Sequence, residues 1–307
     1  MSTTGRDLAR RLRGLVALGT ATTLVLFLAY RGVHGDAVPL SDATTPAVLA
    51  VDTARNALYE AHDIVRNSGA GGDTSGEFYT RISVAQQSLA VAASENVMGL
   101  EGRHDLQTVT GLIAVYSIWL DRRGREPAGS PLRAAYLQYA ERVLGPGTGG
   151  DIMSRLADLR AGQVAEARRQ ASFPWPLWLG WGTVAVLWTL LCAALLETQR
   201  FLRHRFRRPV DLRLLGATAL CVTGVPTLAW HTVAVHGAMS GALSEIVRPV
   251  PAAKVPDTAD DVHGALRHAW FWASLSEWVL LGGVVVVALA VWGLWPRIAE
   301  YRFRVPR

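Results

Sequence analysis

Four long apolar runs, and the arginines crowded beside them, constrain this chain more than any motif in it. The runs cover about 14–30, 175–196, 214–235 and 269–295. Arg6, Arg10, Arg11 and Arg13 precede the first. Arg200, Arg203, Arg205, Arg207, Arg208 and Arg213 lie between the second and third, and Arg297, Arg302, Arg304 and Arg307 follow the fourth. A helix of roughly 20 apolar residues spans the hydrocarbon layer. In that layer every backbone polar group must be satisfied within the protein, so the runs read as helices. Short loops rich in arginine stay in the cytoplasm. The expected order is a cytoplasmic N-terminus (1–13), a first span (14–30), an extracytoplasmic segment (31–173), a second span (174–197) and a basic cytoplasmic loop (198–213). A third span (214–235), an extracytoplasmic loop (236–268), a fourth span (269–296) and a cytoplasmic tail (297–307) complete it.

Composition agrees with this reading. Half of the 307 residues are hydrophobic, and much of that content lies in the four runs rather than in one soluble core. Ten of the 11 tryptophans sit in or beside the last three runs, as expected of side chains that prefer the membrane interface. The net charge is +6, yet segment 31–173 is nearly balanced, with 14 Arg against 16 Asp or Glu. The basic excess is juxtamembrane. Arg203, Arg205, Arg207 and Arg208 are expected to set topology and contact anionic lipid, and no nucleic-acid partner is expected. The two cysteines, Cys192 and Cys221, fall inside apolar runs and read as small packing residues.

Residues 1–30 have the basic start and apolar middle of a secretory signal, but no clear small-residue cleavage site follows. A retained anchor is expected. With either reading, segment 31–173 lies outside.

Segment 45–172 carries helical seams and no strand alternation. Ala47, Val51, Ala54, Leu58, Ala61 and Val65 follow steps of four and three, which keep one face toward a partner helix. Phe78, Ile82, Ala85, Leu89 and Ala92 repeat the register, as do Leu106, Val109, Ile113, Tyr116 and Leu120. A fourth region runs from Pro131 through Leu137 and Val143. Asp151 then caps a helix whose seam is Ile152, Leu156 and Leu159. Gly- and Pro-rich breaks separate these stretches, so the fold class is all-α: an up-down bundle of four or five helices beside about four transmembrane helices. The second outside segment is expected to begin extended, because of Pro249, Pro251 and Pro256. It should become helical at a capping pair, Thr258 with Asp261.

A span, a helical outside bundle and a second span resemble the sensor half of bacterial chemoreceptors and histidine kinases. The resemblance is architectural, and the chain departs from it after the second span, where short arginine-rich pieces replace a signalling helix pair or kinase domain. The stretch LIAVYSIWLDRRGREPAGSPLRAAYLQYAERVL (112–144) resembles actinobacterial multi-pass membrane proteins with an extracytoplasmic helical domain. That resemblance implies lineage and fold and carries no activity with it.

Few residues suggest chemistry. Glu277 stands seven residues after Trp270, about 10 Å down the fourth helix. A carboxylate at that depth is costly and marks a candidate polar site. His231 lies at the outer end of the third span, five residues before His236, and the antiparallel run of the two helices puts His231 at a depth similar to that of Glu277. A His231–Glu277 pair would move protons or orient a ligand; otherwise Glu277 meets interfacial water. The spacing of His231, His236, His263 and His268 gathers no metal site on one helix face, and neither metal nor cofactor is expected. Pro226, after Gly224, is a candidate hinge in the third span. On a seam, Asn96 would specify register or line a pocket. There is no H-E-x-x-H, G-x-S-x-G or P-loop.

The expected function is therefore non-enzymatic. The outside bundle senses a ligand, or binds and regulates a partner membrane protein, with a protein partner or homo-oligomer in the bilayer. The alternatives are a transport or ion-handling component built on Glu277 and His231, and an intramembrane enzyme.

Overall fold

A computed structural model describes residues 3–67, 75–95, 97–145, 150–206, 212–267 and 269–303, and among them there is no strand. The helices are α1 (Thr3–Pro39), α2 (Thr45–Asn67), α3 (Ser75–Glu95), α4 (Gly99–Arg125), α5 (Pro131–Leu144) and α6 (Ile152–Ala171). After them come α7 (Trp175–Phe206), α8 (Leu212–Val247), α9 (Val255–Leu266) and α10 (Ala269–Phe303). A π-helical turn, Leu40–Thr44, joins α1 to α2, and a 3₁₀ turn, Ala252–Lys254, precedes α9. The chain divides into two compact units. The apolar unit is Met1–Ala37, Phe173–Gly237 and His268–Arg307. The bundle unit is Val38–Ser172 and Ala238–Arg267.

In the bundle unit the apolar periodicity becomes one core. Every seam position of α2, α3, α4 and α6 named above is buried, and all but Ala47 belong to a single cluster that includes Tyr116 and Leu58. Leu137 and Val143 of α5 pack against its edge. Alanine at four of the clustered seam positions on α2 and α3 (Ala54, Ala61, Ala85 and Ala92) removes side-chain bulk where the two helices meet. Pro131 opens α5, where its missing N–H costs nothing. Gly145 closes it at φ 98°, and its amide donates to the Glu141 carbonyl at 2.9 Å. That left-handed position favours glycine.

Local details differ from the sequence expectation in three places. Asp151 occupies the N-cap position of α6, but its carboxylate takes the Ser154 hydroxyl rather than a backbone N–H. The stretch after the third apolar run is not extended at first. Helix α8 continues to Val247 because Met239, Ala242 and Ile246 recur at helical spacing and are all buried. Helix α9 then begins at Val255 with Pro256 in its first turn, so Thr258 is a buried helix-interior residue and forms no capping pair with Asp261.

The apolar unit has a thin core and an apolar outside. Leu8 and Leu15 of α1 pack with Leu191 and Leu195 of α7, Leu214 and Cys221 of α8, and Val286 and Leu294 of α10. A second cluster joins Leu26 and Ala29 to Val184 and Val279. Cys192 and Cys221 are both free thiols within this packing. Outward, Leu28, Val186, Val233 and Val284 are exposed. Helices apolar on both faces suit a lipid surround rather than water. Among the described residues, four helical stretches are long and apolar enough to cross a membrane. Helices α1 and α10 approach closely at Gly283, where an added Cβ would run into the Thr23 side chain.

Candidate functional site

The densest polar arrangement in the bundle unit is built on two residues that sit just off the seams. Asp52 follows Val51 on α2, and Arg160 follows Leu159 on α6. Both are buried, at 1% and 8% exposure. Arg160 Nε donates to Asp52 Oδ1 at 2.7 Å. Its two other guanidinium nitrogens donate to the carbonyls of Val247 (3.1 Å) and Ile246 (2.9 Å), at the end of α8. The Val250 amide donates to Asp52 Oδ2 at 3.1 Å, and Asn56 Nδ2 donates to the Val250 carbonyl at 3.0 Å. Each hydrogen-bonding edge of the ion pair thus has a partner, which is what makes burying two charges tolerable. The Arg160 donors also satisfy two carbonyls that the end of a helix leaves open. The result is a clamp that fastens segment 246–250 to α2 and α6.

Beside this clamp lies a cavity of about 480 Å³, within the usual range for small-molecule sites. Its lining comes from the π-helical turn and α2 (Ser41, Thr45, Leu49, Thr53), from α3 (Ser88, Val91) and from α9 (Pro256, Asp260, His263). Thr53 and Ser88 hydroxyls donate within their own helices to Leu49 and Val84. Thr45, buried at 2% exposure, has a hydroxyl with no hydrogen-bond partner. Single π-helical turns recur where a helix is shaped around a site. Next to it, the Thr44 hydroxyl donates to Gln170 Oε1 of α6 at 2.9 Å.

A third polar group lies at the other side of the α2 seam. Tyr116 Oη of α4 is 3.2 Å from His62 Nδ1, and His62 Nε2 is 3.9 Å from Glu141 Oε1 of α5. Burial pushes the His62 pKa down, more than Glu141 raises it, and Arg66 lowers it further. Burial also pushes the Tyr116 phenol up, with Glu141 adding to the effect.

The residues singled out from sequence are placed apart from these features. Glu277 is exposed on α10 and has no hydrogen bond or ion pair with His231 among the described residues. His231 of α8 instead stacks on Trp272, centroids 3.7 Å apart. Trp272 precedes Glu277 by five residues, about 140° round the helix, so a ring on Trp272 is turned away from Glu277. His236 lies edge-on to Phe173 at 5.4 Å. Pro226 is exposed within α8, which continues through it. Arg203 is exposed near the end of α7 and Arg205 is on its last turn. Arg207, Arg208, His268 and Asn96 fall outside the described residues. Two residues of α1 had no role assigned from sequence: Tyr30 Oη donates to the Trp272 carbonyl of α10 at 3.0 Å, and His34 stacks on Tyr30 within α1 at 3.8 Å. Their only sequence signal was polarity at the end of an apolar run.

Residues 36–172 match the family described as an actinobacterial sensor domain, just under half of the chain. No curated protein and no solved structure matches the chain.

Proposed function

With residues 36–172 matching a sensor domain, we propose that the bundle unit is the sensing element of a non-enzymatic, multi-pass membrane protein. The observation that carries this is a coincidence of boundaries. The family match begins and ends within two residues of the first bundle segment, Val38–Ser172. The second bundle segment, Ala238–Arg267, lies outside the match and is fastened on by the Asp52–Arg160 clamp. A sensing unit made from both segments has its chain connections through α1, α7, α8 and α10, which are the apolar helices. In this reading the bundle faces the extracytoplasmic side, both termini are cytoplasmic, α1 is a retained anchor, and the output passes to a partner membrane protein. Stimulus would act as small shifts of the helices that leave the bundle.

The test uses the full chain, tagged at its C-terminus, in native membranes. After cross-linking, the wild type and Arg160→Met are purified and their co-purifying proteins compared. A defined membrane partner whose recovery or modification changes with the clamp variant is the expected result. Recovery of the chain alone from both strains would overturn the partner-regulating reading. No observation on Glu277 favours the transport or enzyme alternatives.

A further inference from the structure

The cavity beside the π-helical turn has a charge pattern that selects among ligands. Asp260 is its one lining carboxylate, exposed on α9 and without an ion-pair partner among the described residues. No lysine or arginine lines it. An anion entering here would meet Asp260 and no compensating cation, whereas an ammonium group would gain an opposite charge. The remaining wall is largely apolar, with Leu49, Val91 and Val255 facing a space large enough for a ring or short chain. No phenylalanine, tyrosine or tryptophan is in the lining, so a quaternary ammonium held in an aromatic cage does not fit. A primary or secondary amine does, since it can donate to a carboxylate and to a hydroxyl. The buried, unpartnered Thr45 hydroxyl is the second sign of an unfinished site, because such a group is costly to leave without a partner.

We infer that this cavity binds a small amphipathic amine, with its ammonium group at Asp260 and its apolar body against Leu49, Val91 and Val255. His263, three residues on from Asp260 in α9, stands at the same mouth and is a second hydrogen-bonding side chain there. This inference rests on the sensing role of the bundle and names the ligand class for it.

Three ligands of one shape separate charge from shape: cyclohexylamine, cyclohexanol and cyclohexanecarboxylate. Each is titrated against the full chain in nanodiscs of zwitterionic lipid, with saturation-transfer NMR as the readout. The amine is expected to saturate most tightly and the carboxylate least. Asp260→Asn, a change at an exposed position, should remove about fivefold of the amine's affinity and leave the alcohol unchanged. Val91→Trp, which fills the mouth from an exposed position, should abolish saturable binding of both and reveals any background from lipid partitioning. Equal binding of amine and carboxylate overturns the inference. So does an amine signal that neither variant alters, or no amine saturation in a chain whose bundle still unfolds cooperatively. The sensing role fails separately, in the ligand-free membrane purification.

Discussion

Arg160 Nε donates to Asp52 Oδ1 at 2.7 Å across 108 residues of sequence, and both side chains are buried. This one contact places α2, α6 and the chain that follows α8 in a common polar centre. The remaining bonds of the pair go to backbone groups at 246, 247 and 250, so it acts on the path of the chain as well as on charge. A buried ion pair gains little over an apolar replacement, but removing one partner strands the other.

Asp52→Ala should therefore destabilise the bundle by about 3–5 kcal/mol, because it leaves the Arg160 guanidinium buried without its counter-charge. The double variant Asp52→Leu with Arg160→Met should recover most of that loss. Thermal unfolding followed by circular dichroism reads both. The two variants share a second effect: neither retains the bond to the Val250 amide, so both should raise its hydrogen-exchange rate. A single variant as stable as wild type would mean that water reaches the pair.

The bundle core was legible because its signal is local. Steps of three and four residues select one helix face, and each apolar seam residue named from Ala47 to Leu159 is buried or packed against the core. The clamp was not legible. Asp52 and Arg160 each sit one residue past a seam position, where a charge ordinarily reads as solvated, and their pairing depends on which helices become neighbours. The end of α8 was misread for a related reason. Pro249, Pro251 and Pro256 predict an extended start to the second outside segment, whereas Met239, Ala242 and Ile246 hold it helical up to Val247. At Glu277, sequence position gave depth along a helix but not direction round it.

His62 should make the bundle less stable in acid. Its pKa lies below the ordinary 6.5, chiefly through burial, so the folded bundle holds the neutral ring while the unfolded chain takes up a proton more readily. The stability from this group is complete above pH 6.5 and is lost as pH falls from there toward the lowered folded value. The bundle melting temperature should fall between pH 7.5 and 5, and His62→Gln should flatten the part of that fall due to this ring. An identical slope in wild type and variant would assign it to other groups.

Gly283 should tolerate no larger side chain. A Cβ there meets the Thr23 side chain, and Thr23 is itself fixed by its hydroxyl donating to the Gly19 carbonyl at 2.8 Å. Close helix contact at small residues is a main source of helix association in lipid. Gly283→Leu should cost about 1–3 kcal/mol through overpacking and should loosen α1 from α10. Disulfide trapping between single cysteines placed at Gly19 and Val287, whose contact distance is 3.0 Å for a Cβ on Gly19, should weaken in the variant. Gly282→Leu, with nothing within 4 Å of an added Cβ, is the matched control and should leave trapping intact.

Arginine placement predicts orientation, and cysteine labelling checks it directly. Cys192 and Cys221 are the only two cysteines, so Cys192→Ala with Cys221→Ala gives a background without thiols. Single cysteines are then placed at Ser130, between α4 and α5, and at Arg203, near the end of α7. The positive-inside rule puts Ser130 outside and Arg203 inside. In intact cells a membrane-impermeant maleimide should label the Ser130→Cys protein and spare the Arg203→Cys protein, and lysis should expose both. Losing one arginine from that loop leaves Arg200, Arg205, Arg207, Arg208 and Arg213 to hold the orientation, so the probe does not remove the signal it tests. Labelling of Arg203→Cys alone in intact cells would invert the topology and place the bundle in the cytoplasm, where an extracellular stimulus has no access to the cavity at Asp260.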